Sequence, residues 1–64
     1  MKVSVAGKVF EAPSWRGVVG DVLAAHNKRN TDINQRLRAV DALMHGREAH
    51  IAGLIIKPVR EEKS

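Results

Sequence analysis

The sequence predicts a small α+β domain of the order β(β)ααβ: an N-terminal strand or hairpin, two helices and a C-terminal strand. Three patterns lead to it. Apolar residues alternate near the start, at Val3, Val5 and Val9. They recur at helical spacing in the middle, at Ile33, Leu37, Val40 and Met44. Near the end they run together, from Ile51 to Ile56, as in a strand covered on both faces or at a dimer seam.

Residues 2–10 read as strand. Ala6-Gly7 supplies a tight turn, because Gly reaches a positive φ without a steric penalty. A single bulged strand is the competing arrangement. Pro13 disfavours helix at Ala12, and Ser14 is a good N-cap, so a first helix should run from Trp15 to about Asn27. Its stripe is Val18, Val22 and Ala25, flanked by Trp15, Val19, Leu23 and His26. Gly17 and Gly20 weaken it by about 1 kcal/mol each relative to Ala. Standing three apart, they can also admit a close neighbour.

The second helix has Asn30 or Thr31 as N-cap and Asp32 in its first turn, where a carboxylate complements the helix dipole. Its core stripe is read as Ile33, Leu37, Val40 and Met44, widened by Leu43, and Gly46 closes it as a left-handed cap. Residues 49–57 form the last strand, in which Gly53 marks a bulge or a close backbone approach. Pro58 stops further ladder pairing. The tail at 60–64 is all polar and should fray.

Sixty-four residues make one domain. A chain this short buries only about 60% of its unfolded surface, and without cysteine no disulfide can add to the core. A homodimer is therefore expected. No run of 18 apolar residues exists and no signal peptide opens the chain, so the expected compartment is the cytoplasm.

The charge is uneven. The chain carries a formal +4, and most of it lies in residues 26–47, where Lys28, Arg29, Arg36, Arg38 and Arg47 outweigh Asp32 and Asp41. Such a local excess points to a polyanion more strongly than total charge does. The simpler account is a solvated helix face that keeps the protein soluble. Asn30, Thr31, Asn34 and Gln35 interleave with the cations, and Asn or Gln can bond adenine edges in a major groove. Only Phe10 and Trp15 are aromatic among Phe, Tyr and Trp, which leaves no stacking platform for single strands.

Nothing else resembles chemistry. His45 and His50 lie either side of Gly46 and His26 is distant, which matches no zinc spacing. Asp21, Asp32 and Asp41 are scattered, and no Ser has a base at motif distance. Gly17-Val18-Val19-Gly20 is not followed by Lys-Ser or Lys-Thr, as a phosphate loop would be. Neither enzyme activity, a metal nor a cofactor is expected.

The segment Asn30-Thr31-Asp32-Ile33-Asn34-Gln35-Arg36-Leu37 resembles the start of the second helix in ribbon-helix-helix repressors of the Arc and MetJ type. The resemblance implies an intertwined dimer with a two-stranded ribbon in the major groove. Lys8 to Pro13 would be the ribbon strand and its exit, with Lys8 as cationic reader. Backbone amides near Asn30 and Thr31 would hold a phosphate. Glu11 and the C-terminal strand depart from that pattern, and the loop between the helices lacks the usual Gly.

Two functions follow as expectations. The first is a small DNA-binding regulator of repressor type, with Lys28, Arg29, Arg36 and Arg38 on phosphate, Asn30 and Thr31 at the helix start, Asn34 and Gln35 as base readers, and Lys8 as the cationic reader that the resemblance implies. The alternative is a compact interaction module or inhibitor, of the kind mobile elements encode. It would dock on an acidic host protein through Phe10, Trp15 and Arg16, or by strand addition at 49–57.

Overall fold

In the computed structural model, which describes residues 1–59, two Ala-Gly pairs set the architecture. Ala6 and Gly7 have φ of 49° and 82°, and Ala52 and Gly53 have φ of 52° and 78°. Positive φ at both central residues is the signature of the type I′ turn, whose twist matches that of paired strands. The first pair joins β1 (Lys2–Val5) to β2 (Lys8–Glu11), and the second joins β3 (Ala49–Ile51) to β4 (Leu54–Pro58). The N-terminal segment is thus a hairpin.

The C-terminal segment is a hairpin too, so the element order is ββααββ where one final strand was expected. Gly53 marks a turn there and not a bulge. A continuous apolar run masks the alternation that would have exposed two strands. Ile51 and Ile56 point inward, Ile55 outward, and the turn falls inside the run.

The two hairpins fuse through their inner strands into one antiparallel sheet of order β2-β1-β4-β3. Val3 faces Pro58 and Ser4 faces Lys57 across that seam. Pro58 ends the strand, but the ladder continues one step, because the Val59 amide donates to the Lys2 carbonyl at 2.9 Å. On the other side of β1, the Ala12 amide donates to the Met1 carbonyl at 3.0 Å.

Between the hairpins lie α1 (Trp15–Ala25) and α2 (Ile33–Met44). Ser14 caps α1 as expected, its Oγ accepting from the Gly17 amide at 3.1 Å. Both helices end in the same way. Asn27 (φ 57°) and Gly46 (φ 73°) turn left-handed, and the next amide reaches back five residues: Lys28 to the Leu23 carbonyl at 2.7 Å, Arg47 to the Ala42 carbonyl at 2.9 Å. These are Schellman closures. A histidine precedes each closure, with His26 Nδ1 2.8 Å from the Val22 carbonyl and His45 Nδ1 2.8 Å from that of Asp41.

The helices cover one face of the sheet, α1 over β1 and β2, α2 against β3. Val18, Val19, Val22 and Leu23 of α1 meet Val3 and Val5 of β1, Ala49 and Ile51 of β3 and Ile56 of β4 in one buried cluster. Ala25, expected on the inner stripe of α1, is exposed. Neither α1 glycine admits a neighbouring helix. A Cβ at Gly17 would touch Ser14 and Ala12 of its own segment, and one at Gly20 would touch nothing within 4 Å.

α2 departs most from expectation. It buries Leu43, as expected, but beside it Ala39; Val40 is half-buried against the core, and Ile33, Leu37 and Met44 of the expected stripe are not buried. Ile33, Leu37 and Met44 are 61%, 41% and 63% exposed. The helix is rolled so that Ala39 and Leu43 face the packed layer, while Ile33, Leu37 and Met44 face away.

Two predictions follow from the backbone. Replacing Ala6 or Ala52 by Asn should raise stability by about 0.5–1 kcal/mol each, since Asn tolerates the left-handed conformation that strains Ala. Urea denaturation reads this directly, and a loss would contradict the turn assignment. Gly20→Ala should stabilise by about 1 kcal/mol, as helix propensity rises and no contact is crowded. Leu23→Ala, at a fully buried position, should cost about 2–5 kcal/mol in the same measurement.

Candidate nucleic-acid interface

The polar and basic residues singled out in the sequence fall on the loop between the helices and on α2. Lys28, Arg29 and Asn30 are exposed in the loop that follows the α1 closure. Thr31 is half-buried, and its hydroxyl donates to the Lys28 carbonyl at 2.6 Å while its amide donates to the same oxygen at 3.1 Å. This double anchor folds the loop back on itself. Thr31 therefore holds the loop and does not cap the helix.

The N-cap position of α2 belongs to Asp32, whose side chain makes no capping bond. The Asp32 carbonyl accepts from the Arg36 amide at 3.1 Å. The first amides of α2 are left without a side-chain cap, and the partial positive charge of the helix start faces the Lys28-Arg29 loop. Asp32 is the one acid between Asp21 and Asp41 and offsets part of that field.

On α2 the sequence-predicted residues divide. Asn34, Gln35 and Arg38 are exposed and share one side of the helix, at i, i+1 and i+4. Gln35 and Arg38 also line an open groove of about 560 Å³ whose other wall is His50 and the β3–β4 turn. Arg36 lies away from them. It is half-buried, it lines the groove between the helices, and its guanidinium donates to the Arg29 carbonyl. Arg36 is a tie between α2 and the loop. Its Nε is buried and has no hydrogen-bond partner.

Lys8 is exposed but elsewhere, at the start of the edge strand β2 just after the first turn. That strand pairs within its own chain, with Val5 opposite Lys8 and Lys2 opposite Glu11, and keeps one edge open. Phe10 and Trp15 are half-buried and packed against the core. Phe10 also meets the His26 ring at a centroid distance of 6.2 Å. Of the three residues expected at a protein-docking surface, only Arg16 is exposed.

Among the described residues no three of His, Cys, Asp and Glu come together to hold a metal, and no helix is long and apolar enough to cross a membrane. Two polar pairs among the described residues lie at the surface: His45 with Asp41 at 3.6 Å and Lys57 with Glu48 at 3.8 Å. No protein-family model matches the chain, and neither a curated protein nor a solved structure matches it.

No sequence pattern signals the Arg36 tie, which needs the loop to fold back over the helix start. Removing the hydroxyl with Thr31→Val should cost about 0.5–1 kcal/mol and speed amide exchange across residues 28–31. Unchanged exchange would mean that the loop is held by something other than this anchor.

Proposed function

We infer that this protein binds duplex DNA as a small basic regulator, contacting the phosphate backbone through the Lys28–Asn30 loop and the exposed side of α2. The supporting observation is how the exposed groups are arranged. Lys28, Arg29 and Arg38 are all at the surface, they flank a helix start without a side-chain cap, and Asn34 and Gln35 lie on the same side of the helix as Arg38. Cations there would neutralise phosphate, and the two amides would read base edges.

The aromatic side chains bear on which nucleic acid fits. Phe10 and Trp15 are half-buried and packed against the core, so neither presents a fully open face for stacking. A backbone-gripping contact with a duplex suits such a surface better than capture of a single strand. In this reading Arg36 acts indirectly, by holding the loop that carries Lys28 and Arg29. Lys8, remote along the fold, adds to the general attraction of the protein for a polyanion.

The resemblance to ribbon-helix-helix repressors suggests the same class of partner through the same segment. The docking element here would be the loop and helix start, because β2 is engaged with β1.

The reading is tested by fluorescence anisotropy of a labelled duplex of random sequence at several salt concentrations. Affinity should fall steeply with salt. Arg29→Ala and Arg38→Ala should each weaken binding and reduce the slope of log affinity against log salt by about one unit. Arg29→Ala leaves the backbone carbonyl that anchors Arg36 in place, so its effect reports on the cation alone. No binding at low salt, or an affinity indifferent to the double variant, would overturn the reading.

A further inference from the structure

The outward stripe of α2 is largely open among the described residues, with only Val40 packed against the edge of the core. Ile33, Leu37 and Met44 are 61%, 41% and 63% exposed, and Val40 is half-buried between them. Their spacing of four, three and four residues is the seam of a two-helix coiled coil. It runs the length of α2 and continues into a groove of about 140 Å³ between the helices, where Val19 and Gly20 of α1 meet Ile33, Leu37 and Val40. Gly20 weakens α1 and no neighbour in the chain requires its small size.

We propose that this face is the contact between two copies of the protein, with the two α2 helices antiparallel about a two-fold axis between Leu37 and Val40. Such a contact is self-complementary, as a two-fold interface must be. Ile33 of each copy meets Met44 of the other, and Leu37 meets Val40, so apolar residues oppose apolar residues along the whole helix.

Charge selects the antiparallel arrangement. Asp41 lies beside the stripe on the side away from α1, and Asn34 and Arg38 lie on that side toward the N-terminus of α2. The two-fold axis brings Asp41 of one copy alongside Asn34 and Arg38 of the other. A parallel pair would set the two Lys28-Arg29 loops side by side. In the antiparallel pair those loops stand roughly 25 Å apart, well beyond the screening length. Arg36, on the opposite side of the stripe, turns its guanidinium to the Arg29 carbonyl.

The size of the contact sets its strength. A stable interface removes about 800 Å² per partner, and one helix face with a shallow groove falls at the low end. Dissociation in the micromolar range is therefore expected. The proposal does not depend on DNA binding, although Asn34 and Arg38 border both surfaces.

Sedimentation velocity without nucleic acid tests it. From about 1 µM to about 1 mM, the mass should rise from the 7.0 kDa of one chain toward twice that value. Leu37→Glu should weaken association roughly a hundredfold, because the change enters the seam twice. Its far-UV circular dichroism should stay unchanged. If that variant loses helix, Met44→Glu, at the exposed end of the seam, is measured in its place. Asp41→Arg should weaken the dimer, and Asp41→Arg with Arg38→Asp should restore it. Monomer mass throughout, or a dimer indifferent to Leu37→Glu and Met44→Glu, would overturn the proposal. A dimer that shows no affinity for DNA would leave it standing while removing the functional reading.

Discussion

The pairing of β1 with β4 joins positions more than fifty residues apart in the chain, Val3 with Pro58 and Ser4 with Lys57. An isolated two-stranded hairpin is marginal in water. Without this seam the molecule would be two hairpins, each with one helix and an uncovered apolar face. With it, the two faces become one platform wide enough for both helices. The ladder extends past the seam through Val59 and, on the other side of β1, through Met1 and Ala12, so the central strands are the best paired. The open edges fall to β2 and to β3, the latter only three residues long. A short edge strand offers little template for unwanted pairing.

Packing on that platform assigns different surfaces of α2 to different roles. Ala39 and Leu43 face inward, the Ile33-Leu37-Val40-Met44 stripe faces outward, and Asn34, Gln35 and Arg38 occupy a polar side. The inward side is the less hydrophobic of the two apolar sides. That order makes sense when α1 is considered. Val18, Val19, Val22 and Leu23 of α1 occupy the same buried layer as Ala39 and Leu43, to which α2 contributes a small residue beside one leucine. The larger side chains are displaced toward solvent or toward whatever covers them.

Much of the local structure was legible in residue types. Ser14 announces its own cap, Gly46 its helix end, and Ala6-Gly7 its turn, because each works through backbone geometry within a few residues. Asn27 closes α1 in the same way as Gly46 closes α2, and a polar residue tolerant of the left-handed region was a readable sign of it. The second hairpin was hidden because the turn residues sit inside an apolar run. The basic character of residues 28–38 was equally plain. The division of those cations was not, since Arg36 and Arg38 are alike in sequence and differ only in the side of the helix they occupy.

The amino-acid sequence by itself determined the α+β class, the two helices, the helix ends and the concentration of positive charge around the second helix start. These rest on short-range rules: periodicity, capping and turn chemistry act between residues close in the chain. Tertiary structure alone decided that the last apolar run folds back as a hairpin, that β1 and β4 form the centre of the sheet, and which stripe of α2 is buried. It also turned Arg36 inward to the loop while Arg38 stayed at the surface. These outcomes depend on how much volume remains over a shared sheet once α1 is seated, a quantity set by residues far apart in the chain.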